Sequence, residues 1–494
     1  MYVTTKGKYL IVDGYDSAPS LFLGWRQRKG DTYYTVENNI VNRMVLGLPI
    51  ELGQPVGATT ELNQKLADYQ KADVLKMVDT QHILNANPMG LGKTVETIEY
   101  LKQVQAKSVL IVCPKIVRQQ WVDQIKTWWG QDAVLLERQR FLQHDTIYVV
   151  NYDKLRNESI LDKCKSIMWD VVVLDEAHKI KNRKSKQTVA AKSLPAFRRI
   201  ALTGTPILRY VDDLWSILHY LDWTYSGISY WNFVSYFCKV QETPWGNKIV
   251  GLTEDPEKVA ILNKLLSLVS IRNNSVQVAL GKTHEVVRLP MSKAQRELYR
   301  KEKALLLDEL PENCTIANGA VLTTRLMQTT SWPGLFIQGE PGPKFEWVAE
   351  TCLNNPKEKF VVFTVFAQTA VALQQYLESM DIGAVTITGQ NTEEQNQAHK
   401  ELFLKTKTQV IIGTIGAMGQ GYDGLQSVSR LMIFLDRDWS PEIMKQAEDR
   451  LNRYGQSSVV NIYYLECQGS FDQHVGRINV NKADDVRRAL DDTE

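Results

Sequence analysis

The sequence predicts an α/β protein built on two doubly wound parallel sheets, with helical insertions and a small β-rich module at its start. Three observations carry this. After residue 60, short apolar runs of strand length alternate with helical stretches, the pattern of parallel strands joined by crossover helices. Glycine-rich or polar loops follow several of those runs, at the end where open α/β sheets bind ligands. The same alternation returns late in the chain, and 494 residues exceed what one hydrophobic core organises, so at least two domains are expected.

Residues 1–56 read as an accessory module of short strands at 9–12, 21–25 and 32–36, with a turn at Lys29-Gly30-Asp31. Arg26, Arg28 and Lys29 give it a possible nucleic-acid contact, and the module offers a surface for protein partners. Residues 57–220 form a first lobe. Its strands are expected at 108–113, 146–150, 171–174 and 199–202, with a Gln/Trp-rich helix running from Pro114 through Trp129. Residues 221–345 read as a helical insertion and linker, containing Tyr230-Trp-Asn-Phe233 and an amphipathic run over 258–269. Residues 346–480 form a second lobe with strands at 359–364, 384–388, 409–414 and 431–435. A helix is expected to carry Gln446, Arg450 and Arg453, and residues 481–494 close the chain as a brace or tail.

The chemistry gathers at the strand ends. Asn85-Ala-Asn-Pro-Met-Gly-Leu-Gly-Lys-Thr94 is a phosphate-binding loop. Gly90 and Gly92 let the backbone turn its N–H groups toward a polyphosphate on the N-terminus of the helix that follows. Lys93 reaches the β/γ-phosphates and Thr94 offers a hydroxyl to Mg²⁺. The run 171–174 delivers Asp175-Glu176-Ala177-His178, where Asp175 suits Mg²⁺ and Glu176 suits a base that orients the attacking water. His178 is read as a coupling residue, and Thr203-Gly204-Thr205 as a loop able to approach phosphate or a neighbouring domain. Arg450 and Arg453, three apart, would share a helix face and suit a γ-phosphate contact.

Composition sets bounds. The 58 basic and 56 acidic side chains leave only +2, so nucleic-acid contacts must come from local basic patches. One such patch is the stretch from Lys179 to Lys186, with five Lys or Arg and no acid. Six scattered cysteines, with no Cys-x-x-Cys pair, suit a reducing interior rather than a disulfide framework or zinc ribbon. No run approaches the ~18 apolar residues of a membrane span, and no signal-peptide pattern opens the chain, so an intracellular soluble protein is expected: cytoplasmic if bacterial or viral, nuclear if eukaryotic.

In order, Asp68-Tyr69-Gln70, Met89 to Thr94, Cys113-Pro114-Lys115 with Trp121, Asp175 to His178, Leu202 to Pro206, Thr388-Gly389, Gly419-Gln420-Gly421, Asp436 to Pro441, and Gln446 to Gln456 resemble the motifs of helicase superfamily two. The basic extension after His178 and the Trp439-Ser-Pro441 segment are similar to the Swi/Snf-type double-stranded DNA translocases in particular. The resemblance covers residues 61–480 and implies two RecA-like lobes with ATP and Mg²⁺ bound between them. It implies that Met89, Gly90, Leu91, Gly92, Lys93, Thr94 and Gln446 meet the nucleotide and that Gln70 reads adenine. It places Lys115, Tyr152, Lys181, Arg183, Lys184, Thr388 and Thr414 along DNA.

Four departures accompany the match. Asn87-Pro88 stands where the family usually has an acidic pair, Leu208-Arg209 where it has Gln-Asn, Arg272-Asn273 where it has paired arginines, and Tyr422-Asp423-Gly424-Leu425 where Asn-Leu is common. None removes a catalytic group. The expected activity is DNA-dependent ATP hydrolysis coupled to movement along duplex DNA, as a monomer and without stable strand separation. Branch migration, annealing or unwinding is the alternative motor, and a nucleotide-gated DNA-binding switch is the alternative of another class.

Overall fold

In a computed structural model the chain is described apart from residues 1, 14–21, 24, 28–32, 51–56, 58–60, 138–140, 209, 223, 228, 244–245, 274–280, 309–315, 420–423, 454 and 491–494. The turn at Lys29-Gly30-Asp31 and the loop residues Gln420 and Gly421 therefore lie outside the described residues. Two units are present, Met1–Val276 with Asp484–Glu494, and Gln277–Ala483. The span 221–345 divides between them.

Unit 1 opens with β1 (Tyr2–Lys6), β2 (Tyr9–Asp13) and β3 (Tyr33–Glu37), an antiparallel sheet in that order. Of the strand expected at 21–25, the described residues Phe22, Leu23 and Trp25 are not in a strand. Phe22 and Leu23 are buried instead, and the Asn42 side chain occupies both backbone groups of Leu23, accepting from its N–H at 2.8 Å and donating to its carbonyl at 3.0 Å. Leu23 and the helix Ile40–Val45 join the larger core of the unit, so the module is packed onto that core.

That core surrounds a seven-stranded sheet. Its strands are β4 (His82–Asn85), β5 (Val109–Cys113), β6 (Ala133–Leu135), β7 (Ile147–Asn151), β8 (Trp169–Asp175), β9 (Ala196–Leu202) and, beyond a β10–β11 hairpin (Cys238–Thr243, Gly246–Leu252), β12 (Ser270–Ile271). The order is β12-β4-β9-β8-β5-β7-β6 and every pairing is parallel. Side chains alternate across it: Leu110, Val112, Val172 and Leu174 face one core, and Val109, Ile111, Val171 and Val173 the other. Both faces are covered, which is why these strands read as continuous apolar runs. Helices Asp68–Asp79, Lys93–Gln103 and Arg118–Trp129 contribute to the second core.

Unit 2 holds a six-stranded parallel sheet of β13 (Lys282–Leu289), β14 (Phe360–Thr364), β15 (Ala384–Ile387), β16 (Val410–Thr414), β17 (Leu431–Phe434) and β18 (Val460–Cys467), ordered β13-β18-β17-β14-β16-β15. Helices Pro343–Asn354 and Ala367–Glu378 cover one face through Phe345, Val348, Leu373 and Leu377. The expected fold class is thus the observed one. The span read as a helical insertion and linker also holds strands: it supplies the β10–β11 hairpin, edge strand β12 to one sheet and edge strand β13 to the other. The five described cysteines are free and buried, and no described helix is long and apolar enough to cross a membrane.

Candidate nucleotide site and motor motifs

Because all strands of the unit 1 sheet run in parallel, every loop after a strand emerges at one edge. There β4 leads into the phosphate loop, β8 into Glu176 and His178, β9 into Thr203-Gly204-Thr205, β5 into Lys115 and β7 into Tyr152. Sequence order scatters these residues over more than a hundred positions, and the sheet gathers them.

Within the phosphate loop, Gly90 and Gly92 have φ of +82° and +87°, a region costly for any side chain. A Cβ on Gly92 would also lie 2.3 Å from the Gln70 amide nitrogen. Gln70 crosses the loop there: its Nε2 donates to the Leu91 carbonyl at 3.0 Å, its Oε1 accepts the Ala67 N–H at 3.0 Å, and Tyr69 donates to the same Leu91 carbonyl at 2.9 Å. The helix Lys93–Gln103 then starts with Lys93 and Thr94 in its first turn, presenting N–H groups and the positive end of its dipole. The Lys93 ammonium donates to the Asn87 carbonyl at 2.7 Å and the Pro88 carbonyl at 3.1 Å.

Beside it, Asp175 Oδ2 accepts the indole N–H of Trp121 at 2.8 Å and Oδ1 accepts the Glu176 N–H at 3.0 Å. Burial, then the adjacent Glu176 charge, holds the Asp175 carboxyl above the usual range, while Trp121 and Lys93 oppose the shift. The field of Lys93 at Asp175 shows that loop and acidic tetrad share one neighbourhood. Glu176 sits in the left-handed region at φ +53°, a strained state for a residue with a side chain and a recurrent mark of functional turns. Its Oε2 lies 3.2 Å from His178 Nδ1, and that nitrogen is 3.3 Å from the Thr203 hydroxyl. Thr203 Oγ1 accepts the Thr205 N–H at 3.1 Å, and Gly204 is so close to the loop that a Cβ would sit 3.2 Å from Met89 Cγ. Base, histidine and Thr203-Gly204-Thr205 therefore form a continuous path back to the phosphate loop.

Several assigned residues stand differently from expectation. Tyr152 is buried and donates its hydroxyl to the Asp175 carbonyl at 2.8 Å, supporting the acidic strand end instead of presenting a surface to DNA. Thr388 is fully buried at the end of β15, and Thr414 is half-buried at the end of β16. Lys115 and Lys184 are exposed and Lys181 half-buried, whereas the Arg183 guanidinium lies over the Tyr230 ring at 4.3 Å.

The arginine helix needs a correction: it spans Pro441–Glu448, so Gln446 is on it and Arg450 and Arg453 are not. The carboxyls at its end turn away. Glu448 bonds Lys282 at 2.6 Å, His284 at 3.0 Å and the Tyr464 hydroxyl, and Asp449 bonds Lys282 at 3.2 Å. The backbone then tightens, with Arg450 N–H on the Ala447 carbonyl and Leu451 N–H on that of Glu448. Arg450 is buried and donates from Nε to the Gly419 carbonyl at 2.9 Å.

The Glu448 cluster yields a pH prediction. Burial raises the carboxyl pKa, but the bonds from His284, Lys282 and Tyr464 overcome it and bring it from 4.5 to about 2. A depressed carboxyl contributes stability that is present above pH 4.5 and lost as pH falls toward 2. At about 1.4 kcal/mol per tenfold in proton affinity, this is worth about 3 kcal/mol. Glu448→Gln is expected to lower the neutral-pH melting temperature of unit 2 and flatten its acid dependence across that window. Parallel acid melts of the variant and its parent check this, and an unchanged acid dependence in the variant would refute it.

Two comparisons with protein families match: a SNF2-related domain over residues 69–331 and a helicase conserved C-terminal domain over 343–455. The chain belongs to the SNF2-related family. Similar proteins include a probable ATP-dependent DNA helicase, CHR12, of Arabidopsis thaliana, 27% identical over 78% of this chain and 38% of its own length. A putative ATP-dependent helicase/translocase, YwqA, of Bacillus subtilis is 24% identical over 79% of this chain and 44% of its own. This SNF2-related chain thus spans about two fifths of the length of the curated relatives it matches. Among solved structures, the Sulfolobus solfataricus SWI2/SNF2 ATPase core in complex with dsDNA matches 89% of this chain and 99% of its own, at 22% identity and TM-score 0.41.

Sequence reasoning had assigned Trp121 no task and missed Asp73 and Glu96. Burial, with a smaller push from Asp73, raises the Glu96 carboxyl to about 7 despite bonds from Asn85 and Asn87.

Proposed function

We propose that this SNF2-related chain is a DNA-dependent ATPase that moves along double-stranded DNA without stable strand separation. The observation that carries the reading is the single sheet edge of unit 1, where phosphate loop, Asp175, Glu176, His178 and Thr203 share one neighbourhood of hydrogen bonds and close polar contacts. The loop binds the triphosphate of ATP through the N–H groups of residues 90–94 and the Lys93 ammonium. Glu176 orients water toward the γ-phosphate, and its contact to His178 passes the state of the site to Thr203 and on to Met89. Arg450 and Arg453 of the helicase C-terminal domain supply positive charge to the transition state.

Mg²⁺ fits the donors present. It is a hard cation that takes a few protein oxygens and fills the rest of its shell with phosphate and water, so the Thr94 hydroxyl and Asp175 carboxylate suffice to hold it. No cluster of three carboxylate, His or Cys ligands is needed, and none occurs among the described residues. When bound it neutralises charge on the β/γ-phosphates.

Duplex DNA is supported by the Lys179-to-Lys186 stretch, whose Lys184 is exposed. Contacts to phosphates carry no sequence information, so little base specificity is expected. The test is ATP turnover with no nucleic acid, single-stranded DNA, duplex DNA and duplex RNA, followed by triplex displacement on the stimulating duplex. Strong stimulation by duplex DNA with triplex release supports the reading. Stimulation by RNA or single strands alone, or strand separation in place of triplex release, overturns it.

A further inference from the structure

Within the phosphate loop, Asn87 forms an amide pair with the half-buried Asn273 that neither binds nor cleaves a nucleotide in the reading above. Asn87 is fully buried. Its backbone carbonyl takes the Lys93 ammonium at 2.7 Å, while its side chain is held on both ends. Oδ1 accepts the backbone N–H of Asn273 at 2.9 Å and the Asn273 side-chain amide at 3.1 Å. Nδ2 donates to Asp73 Oδ2 at 2.7 Å and lies 3.3 and 3.4 Å from the Glu96 oxygens. Asn273 Nδ2 donates to the same Asp73 oxygen at 2.6 Å.

Only one orientation of Asn87 serves this set, since a flipped amide would turn its carbonyl on two carboxyls and its NH₂ on two N–H donors. A satisfied buried network of this kind specifies a single geometry, and losing one member leaves desolvated groups unpaired. Around it, residues 85–87 are laced to 270–273. β12 pairs with β4, the Ala86 N–H bonds the Ile271 carbonyl at 2.8 Å, and Arg272 reaches the Ala86 carbonyl at 3.3 Å. Asn273 is the last described residue before the stretch in which the chain passes from unit 1 to unit 2.

We propose that Asn87 and Asn273 are positioning residues for ATP turnover: the pair fixes the backbone that carries Lys93 against the segment leaving unit 1. The proposal rests on the ATPase reading. To serve a phosphate, the Lys93 ammonium must exchange the Asn87 and Pro88 carbonyls for phosphate oxygens. The amide pair keeps the Asn87 backbone in place during that exchange, and any shift of Asn87 acts directly on residue 273. Polar groups suit this task better than apolar packing, because each hydrogen bond sets a direction as well as a distance.

The test uses the full chain with saturating duplex DNA. Asn273→Ala keeps the backbone N–H but removes the amide, and Asn273→Asp keeps the size but turns a donor toward Asp73 into an acceptor. Asn273→Ala is expected to lower kcat about tenfold, below the ~100-fold of a 1 Å misplacement, with KM for ATP changed less than about threefold. Its melting temperature stays within a few degrees of the parent, and Asn273→Asp loses more turnover. Asn87→Ala combined with Asn273→Ala is expected to be no worse than the poorer single variant, since both break one link. A parental kcat in Asn273→Ala, a loss that only tracks the unfolded fraction, or single effects that multiply in the double variant would overturn the proposal. A parent that does not hydrolyse ATP sinks the functional reading itself, whereas an active parent with an indifferent Asn273 sinks this inference alone.

Discussion

Glu176→Gln is expected to reduce ATP turnover about 1,000-fold, within the range a positioned general base supplies, while ATP still binds. The two side chains have the same shape, so the left-handed turn at Glu176 and the strand before it are undisturbed. What disappears is the charge that orients water and faces His178 at 3.2 Å. Stability separates this from simple damage. The Glu176 charge is one of the influences raising the Asp175 carboxyl, so its removal relieves a repulsion between neighbours and the melting temperature should hold or rise. Single-turnover hydrolysis, nucleotide binding and a thermal melt on the same preparation decide the matter. A variant that retains turnover within tenfold would show that Glu176 is not the base.

How legible such residues are depends on where their partners lie. Asp175 and Glu176 end a strand buried on both faces, and a buried strand announces itself as an apolar run with its chemistry at the tip. The sheet edge was readable for the same reason at Thr203, whereas Lys93 was read from its glycine-rich loop, with no strand expected at His82–Asn85. Asn273 was not: its partners Asp73 and Asn87 are 200 and 186 residues away, and the strand that carries it there, Ser270–Ile271, has two residues and no pattern. Asp73 and Glu96 were hidden differently, since a lone carboxylate on an amphipathic helix reads as part of its wet face. The hairpin 238–252 escaped because its first strand, Cys-Lys-Val-Gln-Glu-Thr, is mostly polar and sends only Cys238 and Val240 to the core. The helix carrying Gln446 was drawn too long because nothing local stops it before Gly455. It ends at Glu448 because Lys282 and His284, more than 160 residues earlier, draw the terminal carboxyls toward β13.

That early end changes what is expected of the two arginines. On a continuous helix, Arg450 and Arg453 would be equivalent and either replacement would read the same. In the turn that actually follows, Arg450 is 4% exposed and bonded to the Gly419 carbonyl at 2.9 Å, while Arg453 is half-buried. Arg453→Ala is therefore expected to lower DNA-stimulated kcat by about 1,000-fold, the lower end of what an arginine finger contributes, with its melting temperature close to that of the parent. Arg450→Ala should lose comparable turnover and also melt earlier, because a charged hydrogen bond to a buried carbonyl is worth about 1.5–3 kcal/mol. Lysine at 453 should rescue little, since a point charge cannot reproduce a planar fork on phosphate oxygens. Turnover and melting curves for the three variants separate the roles. If Arg453→Ala hydrolyses ATP within a few-fold of the parent while Arg450→Ala does not, the transition-state charge comes from Arg450 alone, and if neither slows hydrolysis the second domain supplies no finger at all.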